Sequence, residues 1–260
     1  KSFGKAPDKS RLQHSPNFRN GKFHNPITTS AADFKQSPNI LKSFIQRDVE
    51  KSPVGDYRFS ESNQQAADAE VAVTWIGHAA LLIKLRDKTI LTDPMLSKRA
   101  SPLKLLGPKR YTPAPISAAQ LPPIDLVLIS HDHYDHLDRA SIVQIKDKVK
   151  HFVIPLGVKE TMMHWGVPEN KITELDWWQE AVVNDIRITA APTRHFSGRL
   201  FDRNNTLWNS YTIRYGDHPH YFAGDSGFFD GFSEIAKHGP FDLSFLPIGA
   251  YFEAWADIHM

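Results

Sequence analysis

The chain has 260 residues, 41% of them hydrophobic, with a formal net charge of +2 and no cysteine. That apolar content can fill a full core, whereas so mild a charge, without a long Lys/Arg run, leaves no footprint for nucleic acid. Disulfides and thiolate metal ligands are excluded while the redox compartment stays open, and the most apolar region, Val71 to Leu85, is interrupted by Gly77, His78 and Lys84 and is too short to span a bilayer.

Residues 1–65 are rich in Ser, Asn, Lys and Pro, with scattered aromatics Phe3, Phe18, Phe23, Phe34 and Phe44. This composition predicts an irregular N-terminal arm, with a short helix around Asn39 to Val49, ahead of a main domain over 66–260. An isolated polar arm has little use for so many aromatics, so they are expected to dock on that domain. The other reading, a membrane surface met by Phe18, Phe23, Arg19 and Lys22, lacks an amphipathic helical period. The chain opens at Lys1 rather than Met, which fits the loss of a signal, anchor or tag.

From Val71 the pattern changes. Val71 to Ile76, Ala80 to Ile83 and Thr89 to Thr92 are successive strand candidates, with turn signals at Gly77 and Asp87. A Pro- and Gly-rich loop, roughly Asp93 to Pro123, precedes a buried strand at Leu126 to Ile129. Helices are expected at Asp138 to Lys148 and Gly157 to Trp165, with a strand at His151 to Ile154 between them. Further strands are expected at Lys171 to Leu175, Ile186 to Ala190, Leu207 to Arg214, His220 to Ala223 and Leu243 to Leu246, with a helix at Gly231 to Lys237. A meander followed by strands alternating with helices predicts a mixed sheet covered by helices.

The chemistry concentrates at the end of the Leu126 to Ile129 strand, in Ser130-His131-Asp132-His133-Tyr134-Asp135-His136. Three imidazoles and a carboxylate in the pattern H-x-H-x-D-H suit Zn²⁺, which takes N and O ligands without a geometric demand from d electrons. In an extended or turning segment His131 and His133 face the same side and share one metal, while Asp135 and His136 reach a second beside it. His195 and Asp225 also follow strands, Asp225 between two glycines that let the backbone approach a ligand. Taken alone, each reads as an ordinary surface, core or turn residue; the company of the first cluster makes them candidate ligands. Asp93 ends a strand in the same manner and either orients a ligand histidine or starts a turn before Pro94.

These motifs, in order, resemble the metallo-β-lactamase superfamily: Trp75-Ile76-Gly77-His78-Ala79, Thr92-Asp93-Pro94, the His131 to His136 cluster, His195 and Ala223-Gly224-Asp225. Arg99-Ala100-Ser101-Pro102, Gly107-Pro108-Lys109-Arg110, Leu121-Pro122-Pro123-Ile124-Asp125, Glu174-Leu175-Asp176-Trp177-Trp178, Thr206-Leu207-Trp208 and Pro247-Ile248-Gly249-Ala250-Tyr251 are similar to its branch of phospholipases D that hydrolyse N-acyl phosphatidylethanolamine. The likeness runs from about Val71 to Met260, and Asn20-Gly21-Lys22-Phe23 of the arm also fits.

The resemblance implies an αββα sandwich, two mixed β-sheets face to face with helices outside, and two zinc ions at one edge. It implies that His131, His133 and His195 hold the first ion, and Asp135 and His136 the second, with Asp225 bridging. The family's last ligand, a histidine in a His-Trp-Gly stretch, is not in these residues, and the expectation is that it lies beyond Met260 in a longer polypeptide. The implied reaction is phosphodiester hydrolysis of N-acyl phosphatidylethanolamine to N-acylethanolamine and phosphatidic acid, with Asp135 also taking a proton and His259 near the substrate. The loop Ser101 to Pro115, with Leu103, Lys104, Leu105, Leu106, Lys109 and Arg110, is a candidate for acyl chains and anionic headgroups at a peripheral membrane surface, or else an ordinary surface loop. A lactonase or other small-molecule hydrolase on the same scaffold, and a non-catalytic zinc-stabilised binding protein, are the competing readings. Homo-oligomer formation is left open.

Overall fold

The computed structural model describes residues 3–30, 69–103, 105–199, 202–250 and 255–260. The helix expected over Asn39 to Val49, together with Phe34, Phe44 and Lys104, lies outside the described residues. In the arm, a single turn α1 (Lys9–Leu12) is capped by Asp8, whose side chain accepts from Ser10 N. A hairpin of β1 (Phe18–Arg19) and β2 (Lys22–Phe23) comes next, its Asn20-Gly21 turn having both φ angles positive, the conformation that such pairs favour.

The main body begins with an antiparallel meander of β3 (Val71–Gly77), β4 (Ala80–Leu85) and β5 (Lys88–Thr92). Next comes β6 (Ile124–Leu128), parallel to β5, with every residue buried. Apart from Asp125, which accepts from Thr89 N and pairs with Lys150, the strand is apolar, and a strand buried along its length needs cover on both faces. The helix α2 (Arg139–Ile145) leads to β7 (Val149–Pro155), and α3 (Lys159–His164) leads to β8 (Ile172–Leu175), so the sheet grows in parallel through helical crossovers. Its order is β3-β4-β5-β6-β7-β8.

The second sheet contains β9 (Glu180–Val183) and β10 (Ile186–Ala191). A small hairpin, β11 (Gly198–Arg199) and β12 (Asp202–Arg203), interrupts before β13 (Ser210–Tyr215) and β14 (His218–Phe222). The last elements are α4 (Gly231–Ala236) and β15 (Leu243–Phe245), which pairs parallel to β14. The order is β15-β14-β13-β10-β9.

The two sheets bury Ile83, Ile90, Leu126 and Val153 of the first against Ile188, Tyr211, Ile213 and Phe222 of the second. On the outer face of the first sheet, Val127, Phe152 and Ile154 pack on Ile142, Ile145 and Met162 from α2 and α3. Tyr221 and Ala223 of the second sheet meet Ile235 of α4. This is the αββα sandwich. Each such side chain removed from water contributes roughly 1.5–3 kcal/mol before conformational entropy is set against it.

Several boundaries differ from expectation for local reasons. The strand expected from Leu207 starts only at Ser210, because Leu207 and Trp208 turn into a cluster with Leu12, Phe18 and Phe23 of the arm and Trp177. Instead of a ladder, Leu207 N donates to Leu156 O and Asn209 N to Ser130 O. Strand β9 is absent from the sequence expectation; it is an edge strand whose Glu180 and Val182 face solvent, which masks its pattern. The helix expected from Asp138 begins at Arg139, with Asp138 as its cap.

Candidate metal centre

The candidate site gathers where five strands of the two sheets end. Strand β6 delivers the His131 to His136 segment, β10 leads to His195, β14 to Asp225, β5 to Asp93 and β3 to His78. Asp93, at φ +34°, leaves the ladder after its N–H donates to Leu128 O. Its two carboxylate oxygens then accept from Ser130 N at 2.7 Å and Ser130 Oγ at 2.6 Å, which fixes the start of the histidine segment. Gly224 has φ +60°, and a Cβ there would run into the Ser130 side chain, so only glycine lets the end of β14 lie against this segment.

Two groups of donors converge. In the first, His131 Nε2 lies 2.8 Å from His133 Nδ1, and His195 Nε2 lies 3.3 Å from the same atom. In the second, His136 Nε2 is 3.0 Å from His78 Nε2 and 3.2 Å from Asp225 Oδ2. Asp135 Oδ2 approaches His78 Nε2 at 3.1 Å and His136 Nε2 at 4.0 Å. Asp225 Oδ2 also lies 3.8 Å from His195 Nε2 and 4.0 Å from His259 Nδ1, so it faces both groups. Ligands 2.0–2.1 Å from a tetrahedral ion stand roughly 3.3 Å from one another. Donor atoms held 2.8–3.3 Å apart around a common point therefore fit a metal.

The ring nitrogens facing away are also held. His136 Nδ1 meets Asp93 Oδ2 at 2.7 Å, His131 Nδ1 meets Ser130 Oγ at 2.9 Å, and His195 Nδ1 meets Ile258 O at 3.0 Å. Such partners fix the tautomer and leave the other nitrogen free for an ion. Asp93 lies within hydrogen-bond distance of His136 as well as of Ser130.

Electrostatics separates the two groups. Burial, aided by neighbouring imidazoles, pushes His131 well below its ordinary range. His133 falls to about 3 through burial and His195, and His195 to about 4 chiefly through burial. These three imidazoles are neutral at pH 7, the state a ligand requires. At His136 burial also opposes charge, but Asp225, Asp135 and Asp93 outweigh it and raise its pKa well above the usual value. Burial would raise Asp135 and Asp225, yet His136 holds both below the normal carboxylate range, with His78 assisting at Asp135.

All six residues expected to bind metal thus come together, and His259 stands beside them. The sequence reading missed His78. It was legible as a Gly-His pair directly after a strand, the same placement that drew attention to Asp93. The loop residues lie elsewhere: Leu103, Leu105, Leu106 and Lys109 are exposed. Arg110 does not join them. Its half-buried guanidinium donates to the carbonyls of Ile76, Met95 and Thr112, and a Cβ on Gly77 would strike it.

The second group opens into a cavity of about 720 Å³ whose walls include Trp75, Leu81, Phe222, Phe245, Leu246 and Ile248. Paired sheets with a buried His/Asp cluster at their strand ends define a metal-dependent hydrolase of metallo-β-lactamase type. The chain belongs to the family described as Beta-lactamase superfamily domain, which matches residues 88–260. It is 42% identical over 253 residues to an uncharacterized protein of Mycobacterium tuberculosis, covering 95% of this chain and 68% of that one. It is 36% identical over 261 residues to N-acyl-phosphatidylethanolamine-hydrolyzing phospholipase D 1 of Caenorhabditis elegans, covering 91% of this chain and 73% of that enzyme. Among solved structures it resembles CmlA, a diiron beta-hydroxylase from Streptomyces venezuelae, with a TM-score of 0.52, 26% identity and 68% of this chain covered. The chain spans about a third of CmlA, 34% of its length.

Proposed function

We propose that the protein is a two-zinc phosphodiesterase of phospholipase D type, which hydrolyses N-acyl phosphatidylethanolamine, or a related phospholipid, to an N-acylethanolamine and phosphatidic acid. The observation that carries this reading is the apolar cavity opening on the donors His78, Asp225 and His259. A phospholipid needs both: polar groups at the phosphate and an aliphatic surface for its chains. The Caenorhabditis elegans enzyme, by its name, acts on that class of lipid.

Nitrogen and oxygen donors without sulfur suit zinc, though iron on a similar fold shows that the scaffold alone does not choose the metal. Bound there, a pair of divalent ions would supply Lewis acidity and lower the pKa of a water from about 15.7 towards 7. His131, His133 and His195 would hold one ion; Asp135, His136 and Asp225 would hold the other, with Asp225 shared. Asp135, kept ionised by His136 and His78, takes the proton released by the attacking water. His259, partly exposed on the cavity wall, donates a hydrogen bond to a phosphoryl oxygen. Trp75, Phe245 and Leu246 exclude water and hold the acyl chains. The exposed Leu103, Leu105, Leu106 and Lys109 bring the site to a peripheral membrane surface. No helix among the described residues is long and apolar enough to cross a membrane.

The test is metal analysis of the purified protein, followed by assays on N-acyl phosphatidylethanolamine vesicles, a soluble phosphodiester and a lactone panel. Lipid turnover dependent on two equivalents of zinc is expected. Lactone turnover without lipid turnover would move the protein to the small-molecule hydrolases, and a metal-loaded protein inert on all three would make it a binding protein.

A further inference from the structure

We infer that Asn25, in the arm outside the residues that match the family, is a positioning residue for the first metal site. The inference rests on the metal-centre reading and adds to it a component that the catalytic motifs do not contain.

The contact is unusually complete for a side chain. Asn25 Nδ2 donates to His195 O at 2.6 Å, and Asn25 Oδ1 accepts from His195 N at 3.1 Å. Both backbone groups of the candidate ligand are thus paired by one amide, as a neighbouring strand would pair them. His195 lies past the end of β10 and has no strand partner among the described residues. With its backbone gripped by Asn25 and its Nδ1 held by Ile258 O, the imidazole has little freedom, and Nε2 is aimed at His133 Nδ1.

The grip is anchored on both sides. Upstream, Phe18 and Phe23 are buried with Trp177 and Trp208. Downstream, Ser30 N donates to Asp257 Oδ2 at 2.9 Å, while Arg194, next to His195, pairs with the other oxygen of Asp257. Asp257 precedes Ile258 and His259. Residues 25–30 therefore tie the His195 loop to the segment that carries both its Nδ1 acceptor and His259. Partners that orient a ligand from outside typically account for 10–100-fold in metal affinity. That is the scale expected here.

The test is competition titration of Co²⁺ and Zn²⁺ against a chelator, with the Co²⁺ absorption spectrum recorded, on the whole protein. Asn25→Ala should weaken the site formed by His131, His133 and His195 about 10–100-fold and alter its spectrum. Asn25→Asp keeps the acceptor for His195 N but loses the donor to its carbonyl, so it should shift affinity in the same direction and serves if the alanine variant does not fold. Asn17→Ala is the control, because Asn17 Nδ2 donates to Asp176 Oδ1 at 2.8 Å, a contact of the arm that involves neither His195 nor any metal donor. Its affinity and spectrum should match wild type even where its thermal stability falls. Wild-type affinity and spectrum in the Asn25 variants, or equal loss in Asn17→Ala, would overturn the inference. A wild-type protein that takes up no metal would instead overturn the metal-centre reading itself.

Discussion

At the scale of single residues, the centre combines groups whose removal has separable effects. The Asp135 side chain is 42% exposed and its contacts are with His78 and His136, so Asp135→Asn should fold normally while hydrolysis drops about 10²–10⁴-fold, the range for loss of a general base. His133→Ala removes a donor shared by His131 and His195 and should abolish metal-dependent turnover. Circular dichroism with activity measured at fixed metal checks both; retained activity would remove the mechanism. His220 tests a different term. It is buried on β14, and neither ring nitrogen has a hydrogen-bond partner among the described residues. Burial holds its pKa below the ordinary value, against a smaller opposite pull from Asp242. The folded imidazole therefore stays neutral while the unfolded one gains a proton near pH 6.5. Stability falls as pH drops through that value and goes on falling until the folded group also protonates. His220→Leu should add about 1–3 kcal/mol at pH 7 by removing unpaired polar atoms, and should flatten the decline of Tm below pH 6.5. A Tm profile as steep as wild type would contradict this.

At the scale of elements, the donors are delivered by strand ends and braced by the helix and hairpin next to them. Asp138 caps α2, accepting from Ala140 N and Ser141 N, and its Oδ2 also receives Ser97 Oγ at 2.6 Å. Asp138→Ala leaves those donors unpaired in a buried place and should cost roughly 1–2 kcal/mol, measured by urea unfolding. Arg199 of β11 braces the same stretch, donating to Asp132 O and Leu137 O, while Asp132 accepts from Gly198 N. The strand that carries the histidines was legible because Leu126-Val127-Leu128-Ile129 is an apolar run closed by polar ligand types. The bracing hairpin was not. Two-residue strands have no periodicity, and their existence depends on Arg199 finding carbonyls more than sixty residues away. Asn25 was illegible as a site residue for the same reason: it comes from a distant part of the chain, and only folding brings it to the cluster.

At the scale of the molecule, the two sheets and the order of their helices could be inferred from hydrophobic pattern and from the resemblance, while the direction in which surface residues face could not. Lys109 and Arg110 are adjacent and of equal charge, so the sequence treats them alike, yet the structure separates them. Arg110 sits under the Ile76 to His78 turn, whereas Lys109 is exposed beside Leu105 and Leu106, which are 86% and 62% exposed, with Tyr111 at 68%. Exposed leucines and a tyrosine with an exposed lysine in the same loop suit an anionic bilayer surface. Lys109→Glu should weaken binding to anionic vesicles, most at low salt, because exposed charges are screened beyond about 10 Å at 0.1 M. Leu105→Asp should weaken it at every salt concentration, since it removes buried apolar area rather than charge. Arg110→Glu should behave differently. Reversing a half-buried guanidinium that serves three carbonyls disturbs the turn holding His78, so metal affinity and thermal stability should fall rather than vesicle binding alone. Vesicle co-sedimentation across a salt series, run beside thermal melts for the three variants, separates these outcomes. Unchanged sedimentation in both Lys109→Glu and Leu105→Asp would return the loop to the ordinary surface.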